Sequence, residues 1–445
     1  MSDEHLPPLG FWMAAALVVG NMVGSGVFLL PAALAPYGLN SITGWLLSIS
    51  GAMLLAGVLA ALSRAFPDAG GPFAYTRAAF GDLAGFLVAW GYWVSVWVGN
   101  AAIATGGVSY LTPLVPWLGA APYSAAAVTL AALWTLTAVN CYGVREAGWV
   151  QSVTTVLKLA PLVAVAGIGV FYVRRDVAAQ VAAVPLGFEA TTAAATLTMW
   201  ALLGFESATV PADRVRDPAR TIPRATLVGA AVAAIVCAVA CSVVVLLVPP
   251  AQLAGSTAPY ADAARPFWGD RAAVLVALAA AVSTFGCLNG WILLQGELPR
   301  ALARAGVFPQ VFARESARAT PVVALVFTSL LVTALVLMNA QRGLVSVFTF
   351  MILLSTSASL VAYLACGLAV VVLLRRGRMG PARRGAAWLA VAGVLGSAYC
   401  LWAMAGAGRE ALQWGAVLLL LGLPVYWSRR SRPPSAARPT PSAVR

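Results

Sequence analysis

Two kinds of residue in this chain could do chemistry that their apolar surroundings cannot. The first is the glycine cluster of Gly20-Asn21-Met22-Val23-Gly24-Ser25-Gly26-Val27-Phe28, which lies in an uncharged run from Leu6 to Ser63. Glycine costs a helix interior about 1 kcal/mol relative to alanine, and Gly24-Ser25-Gly26 concentrates that cost at one depth. A helix interrupted there offers amide hydrogens at the start of its outer half and free carbonyls at the end of its inner half. The amides suit a carboxylate and the carbonyls suit an ammonium, which together make an amino-acid site from backbone. The spacing Gly20-x3-Gly24 also fits a small-residue packing face. The second kind is ionisable. Lys158, the one lysine of the chain, and Glu206 are the acidic or basic groups set well inside apolar segments. Charge at that depth is costly and marks relays, counter-ions or pathway residues, unless it braces a broken backbone. For Glu206, gating or hydrogen bonding competes with direct substrate contact.

Four further side chains stand out on the same segments. Trp200 and Trp291 lie away from the interface belts that tryptophan usually occupies, and an indole face can cover a cation. Asn100 and Ser355 are polar groups in apolar surroundings, suited either to a polar substrate head or to interhelical hydrogen bonds. Packing remains the alternative for both tryptophans.

These residues need long apolar helices to carry them. Hydrophobic residues make up 61% of the 445 and charged residues 10%, and the mean hydropathy is +0.87, which excludes an ordinary soluble globule. A bilayer core takes about 20 apolar residues per crossing. The pattern predicts an all-α integral membrane protein with crossings at 11–33, 41–63, 83–111, 123–141, 149–172, 191–211, 225–248, 273–296, 321–339, 344–373, 386–406 and 411–428. No cleavable signal is expected ahead of the first, because Asp3 and Glu4 precede it and its apolar run is too long.

The net charge of +13 is a topology signal and not a nucleic-acid footprint. Of the Lys and Arg residues, 21 fall in the loops after even-numbered spans and in the C-terminal tail, against six after odd-numbered spans. Both termini are therefore expected on the cytoplasmic side. The six cysteines (141, 237, 241, 287, 366 and 400) lie in or beside spans and form no metal-ligand pattern. No metal or cofactor is expected.

An internal repeat accompanies the breaks. Pro72-Phe73-Ala74-Tyr75-Thr76-Arg77-Ala78-Ala79-Phe80-Gly81-Asp82 follows the second span, and Pro259-Tyr260-Ala261-Asp262-Ala263-Ala264-Arg265-Pro266-Phe267-Trp268-Gly269-Asp270 follows the seventh. The glycine break around Gly24 has a counterpart at Leu203-Gly204-Phe205-Glu206-Ser207. The offset is five spans, an odd number, so the second copy is inverted, and paired breaks in inverted halves point to a transporter's central site. The expected divisions are a tail at 1–10, a five-helix repeat at 11–172, its inverted copy at 191–373, two extra helices at 386–428 and a disordered basic tail at 429–445.

At these residues the chain resembles the amino acid–polyamine–organocation transporters. Asn21 to Phe28 with Pro31, Gly70-Gly71-Pro72-Phe73-Ala74-Tyr75, and Gly204-Phe205-Glu206-Ser207-Ala208 followed by Asp217-Pro218 and Ile222-Pro223 carry the likeness. It is most similar to the bacterial arginine/agmatine antiporters over nearly its whole length. The resemblance implies a five-plus-five inverted-repeat (LeuT-like) fold with the first and sixth spans unwound at the site. It implies that Val23, Gly24, Ser25 and Gly26, beside Asn21, hold the substrate carboxylate. Carbonyls near Met22, Trp200 and Leu203 then take its α-ammonium. Trp200 matches a gating aromatic, Trp291 and Asn100 match residues that receive a guanidinium, Ser355 matches a further head-group contact, and Glu206 matches a glutamate behind the gate. The chain departs from those exchangers at Ser95-Val96, where an Ala-Cys pair is expected, at Phe73 in place of tyrosine, and at Lys158. A lysine there is typical of sodium-independent, proton-coupled members of the superfamily, and its ammonium would bond the carbonyls of the first break in place of a sodium ion.

The expected function is secondary active transport of an amino acid by alternating access in a bacterial inner membrane, exchanging a cation such as arginine for its amine. A proton-coupled permease for neutral or broad-range amino acids is the alternative. The expected partners are a small-molecule substrate, the lipid bilayer and no nucleic acid; protons and a second copy of the chain in a homodimer are also admitted. An integral-membrane enzyme would need clustered carboxylates, histidines or thiols facing a cavity. The lone histidine is His5, so no enzyme activity is expected.

Overall fold

The computed structural model describes residues 10–23, 27–66, 71–120, 122–142, 162–206, 215, 217–379 and 385–430. Among them the regular elements are helical: α1 (Phe11–Met22), α2 (Leu30–Leu34), α3 (Asn40–Ala65), α4 (Pro72–Phe80), α5 (Asp82–Ser109), α6 (Pro122–Tyr142), α7 (Leu162–Tyr172), α8 (Arg175–Ala182) and α9 (Phe188–Trp200). They continue as α10 (Pro218–Leu247), α11 (Pro259–Arg304), α12 (Val322–Met338), α13 (Leu344–Arg375), α14 (Ala386–Ala405), α15 (Gly408–Leu420) and α16 (Gly422–Arg430). Eight helices among the described residues are long and apolar enough to cross a membrane, the last being α15 and α16 taken together over Gly408–Ser428. Of the other four predicted spans, the described residues include the helices α1, α7, α9 and α12.

Several boundaries differ from expectation, each for a local reason. In the sixth span, predicted over 191–211, residues 207–211 lie outside the described residues and the α-helix ends at Trp200. There i to i−3 bonds (Leu202 N–H to Met199 O, 3.0 Å; Leu203 N–H to Trp200 O, 3.2 Å) tighten the chain. Gly204, at φ +107°, then turns it out of the helix. The eighth span runs well past 296 to Arg304, because Arg300 pairs with Glu297 on its own helix and with Glu315 beyond it. The last helix reaches Arg430, so residues 429 and 430 are helical and not part of the predicted tail.

The two halves of the sequence repeat fold alike. Each begins with proline at the first turn of a helix and reaches a glycine with positive φ before the long helix that follows. Gly81 sits at φ 92°, ψ −176° and Gly269 at φ 75°, ψ 178°. An arginine five residues before each aspartate closes the corner, Arg77 to Asp82 at 2.6 Å and Arg265 to Asp270 at 2.9 Å. Both pairs are exposed and contribute little by themselves; the glycines determine the corner. That backbone region is open essentially to glycine alone and strains other residues by about 1–3 kcal/mol. A methyl added at Gly81 or Gly269 meets nothing within 4 Å. Gly81→Ala and Gly269→Ala are therefore each expected to lower the thermal unfolding midpoint in detergent through backbone strain alone. An unchanged midpoint in both would rule that out.

Polar groups hold the bundle around α5, α9 and α13. Asn40 satisfies its whole amide: Nδ2 donates to Tyr37 O and Pro185 O, both at 2.9 Å, and Oδ1 accepts from Gly187 N–H and Thr191 Oγ1, both at 3.0 Å. That ties the start of α3 to the start of α9, and Ser48 meets Thr198 two turns further on at 2.8 Å. Gly367 of α13 and Gly393 of α14 let two backbones touch, since a methyl on either would lie within 2.8 Å of the other's carbonyl. Lipid gives helices no hydrophobic reason to associate, so such close contacts and buried polar bonds carry the packing.

Candidate functional site

The end of α1 and the end of α9 meet near the middle of the bundle. α1 stops at Met22, and Val23 is extended at φ −86°, ψ 119°. Gly204 faces that end: a methyl built on it would lie 3.4 Å from the carbonyl carbon of Asn21 and 3.5 Å from its oxygen. The same methyl would lie 3.5 Å from Cζ2 of Trp291, so α1, the turn after α9 and α11 converge at one point.

A cavity opens beside this point. Tyr92, Ser95, Val96, Gly99 and Ile103 line it from α5, Trp200, Leu203 and Glu206 from the sixth span, Trp291 from α11, and Ser355 and Ser359 from α13. The Trp200 indole lies over Gly99, whose missing side chain makes room for it; a methyl there would meet Cη2 at 3.0 Å and Ser355 Oγ at 3.3 Å. Ser355 Oγ donates to Ser95 O across α13 and α5 at 2.7 Å. Neither Trp200 Nε1 nor Trp291 Nε1 has an acceptor among the described residues.

Glu206 is the acidic group of this wall, 1% exposed. Its Oε1 accepts from Tyr92 Oη at 2.7 Å, and its Oε2 accepts from Tyr363 Oη at 2.6 Å and from Gly204 N–H at 3.2 Å. Three donors from three segments offset the desolvation of a buried carboxylate. Phe205 stacks on Tyr363 with centroids 4.8 Å apart. Tyr92 and Tyr363 lie toward the ends of α5 and α13 where Arg376 and Arg378 donate to the carbonyls of Ala79 and Ala78. The Glu206 cluster thus stands between the cavity and the arginine-rich face of the bundle.

A second aromatic cluster, outside the cavity lining, lies where α5 ends. Tyr110, the residue just past the end of α5, donates to Phe28 O at 2.6 Å and accepts from Tyr260 N–H at 3.2 Å. Phe28 meets the rings of Tyr110 and Tyr260 edge-on, at 6.0 and 5.4 Å. All three side chains are buried.

Of the side chains singled out in the sequence, Trp200, Leu203, Glu206, Trp291 and Ser355 line one cavity. Met22 and Val23 are buried at the first break, and Asn21 abuts Gly204. Asn100 is fully buried and bonds between helices, to Gln295 Oε1 at 2.6 Å and Trp291 O at 3.3 Å. Gly24, Ser25, Gly26 and Lys158 lie outside the described residues. Sequence reasoning missed Tyr92 and Tyr363. Each lies eight residues from a residue it did name, Asn100 and Ser355, and residues eight apart share a helix face.

Similarity to known proteins agrees with this arrangement. The family profile described as amino acid permease matches residues 9–425. A protein of Bacillus subtilis (strain 168), provisionally named as an arginine/ornithine antiporter, is 32% identical over 393 residues, 81% of this chain and 83% of its own. The putrescine transporter PotE of Escherichia coli (strain K12) is 30% identical over 432 residues, 96% of this chain and 97% of its own. The cadaverine/lysine antiporter of the same strain is 36% identical over 349 residues, 75% of this chain and 76% of its own. Family and relatives are transporters, and the chain is a multi-pass membrane protein. With its helical bundle interrupted at the first and sixth spans, it belongs to the amino acid permease family of the amino acid–polyamine–organocation superfamily.

Proposed function

We propose that this protein exchanges a cationic amino acid for an amine across the cytoplasmic membrane by alternating access, with arginine and its decarboxylated amine as the pair. The observation that carries this is the composition of the cavity wall: two tryptophans, serine hydroxyls and a buried carboxylate. Such a wall suits a cation, since an indole face over a cation is worth about 0.5–2 kcal/mol. The names of the relatives, which cover arginine, ornithine, lysine, putrescine and cadaverine, support the same class.

In this scheme the substrate carboxylate rests on the backbone of Val23, Gly24, Ser25 and Gly26, and its α-ammonium on carbonyls near Met22, Trp200 and Leu203. Trp200 covers the substrate, Trp291 supports the distal head, and the Glu206 cluster closes the cytoplasmic side. The repeats at 11–172 and 191–373 sit inverted to one another, with both termini in the cytoplasm. Lys158 serves the carbonyls of the first break in place of sodium, so exchange proceeds without that ion.

Counterflow in proteoliposomes tests the scheme. Labelled arginine should accumulate against internal arginine or agmatine, with choline replacing sodium, and alanine and leucine should compete poorly. Better competition by leucine or alanine than by arginine would replace the scheme with a neutral-amino-acid permease. Trp291→Leu should weaken arginine about 2- to 30-fold, the range of a lost cation–π contact, and should leave a short substrate such as alanine unchanged.

A further inference from the structure

Behind the cavity runs a chain of four buried polar side chains from four helices. Asn100 (α5) gives both amide hydrogens away, to Gln295 Oε1 at 2.6 Å and to Trp291 O at 3.3 Å. Gln295 (α11) gives a hydrogen from Nε2 to Ser329 Oγ (α12) at 2.9 Å. Ser329 Oγ lies 2.8 Å from Thr137 Oγ1 (α6), which donates to its own helix at Leu133 O, also at 2.8 Å. None of the four is more than 1% exposed.

The chain has a direction. A threonine hydroxyl has one hydrogen, and that of Thr137 is spent on Leu133 O. Thr137 must therefore accept from Ser329, which must accept from Gln295. The Gln295 amide is thereby oriented with Nε2 toward Ser329 and Oε1 toward Asn100. Asn100 in turn must place Nδ2 toward Gln295. What remains at the far end is Asn100 Oδ1, buried and without a partner among the described residues. A buried unpaired carbonyl oxygen costs about 1–3 kcal/mol until something donates to it.

Asn100 lies one turn beyond the cavity-lining Val96 and next to Gly99 on α5, without itself lining the cavity, and Gln295 lies one turn beyond Trp291 on α11. We infer that Gln295 is a positioning residue for head-group choice: through Ser329 and Thr137 it fixes Asn100 with Oδ1 as an acceptor for a head made only of N–H donors. This rests on the cation-exchange scheme above. A guanidinium offers donors in every orientation and bonds Oδ1 with charge assistance, whereas an isosteric ureido head can do so only with its oxygen turned away and through a neutral N–H. The chain thus selects charge type by the polarity of a hydrogen-bond relay, with no charged side chain of its own.

The test compares binding of arginine and of citrulline, its ureido isostere, to the purified full-length protein. The wild type should prefer arginine. Gln295→Met should lower the arginine-to-citrulline ratio about tenfold, the worth of one buried hydrogen bond to a charged group, because Asn100 is then free to turn its amide. Ser329→Ala, which removes one hydroxyl from the middle of the chain, should lower the ratio in the same direction and carries the test should Gln295→Met fail to fold. In an Asn100→Leu background neither change should alter the ratio. Equal loss of both ligands, or an unchanged ratio in a folded Ser329→Ala protein, overturns the positioning role and leaves the exchange scheme intact. A wild type that binds citrulline as tightly as arginine overturns both together.

Discussion

Glu206→Ala is expected to lower exchange at least ~100-fold without preventing membrane insertion. The change removes the acceptor of three donors, Tyr92 Oη, Tyr363 Oη and Gly204 N–H. Each donor left buried and unpaired costs about 1–3 kcal/mol, and every 1.4 kcal/mol is tenfold in an equilibrium. The closed arrangement around the cavity is thus disfavoured by several kcal/mol relative to any arrangement in which water reaches the tyrosines. A ligand must then spend affinity restoring closure. Glu206→Gln should lose less, about tenfold. Its Oε1 can serve Tyr363 and Gly204 while its Nε2 forces the Tyr92 hydroxyl to turn and accept, for a cost of about one hydrogen bond. Cys366, buried one turn beyond Tyr363, reports the same event. Its thiol should react with a water-soluble maleimide faster in Glu206→Ala than in the wild type. Wild-type exchange by the alanine variant would remove Glu206 from the closure.

The second large effect is expected at Gly204. Its φ of +107° lies where any side chain strains the backbone, by about 1–3 kcal/mol. Its missing side chain also faces Asn21 and Trp291 at 3.4–3.5 Å, a distance at which a single methyl fits and branches do not. Gly204→Ala should therefore lose exchange by roughly the backbone term alone, about 5- to 100-fold. Gly204→Val should abolish exchange, because its γ-methyls must displace either the end of α1 or the Trp291 ring. The two variants separate strain from crowding: equal loss in both assigns the whole effect to backbone conformation. Normal counterflow by Gly204→Val would show that the three segments need not meet there.

The sequence announced the interruptions before any contact was known. Glycine spacing and apolar run length are local properties, so the end of α1 at Met22 and the turn at Gly204 fall where the glycines lie. The short repeat was legible for the same reason. Pro72 and Pro259 start helices, Gly81 and Gly269 turn the chain, and an arginine–aspartate pair closes each corner. The extension of α11 to Arg304 was not legible, because charged residues and Pro299 read as a loop when Glu315 is not yet known to be beside Arg300.

What the chain determined by itself is therefore where it crosses the membrane, where two crossings break and which side chains carry unusual chemistry. Only the tertiary structure decided what those side chains meet. Glu206 finds Tyr92 and Tyr363 at separations of 114 and 157 residues. Asn100, which suited a substrate head or a helix contact, gives its hydrogens to α11 and keeps one oxygen without a partner among the described residues. The physical reason lies in the solvent. A soluble helix marks its buried face with an apolar stripe, but a helix in lipid is apolar all round, so its sequence gives little sign of which face turns inward. That rotation is set by close packing and by the few buried polar groups that find one another.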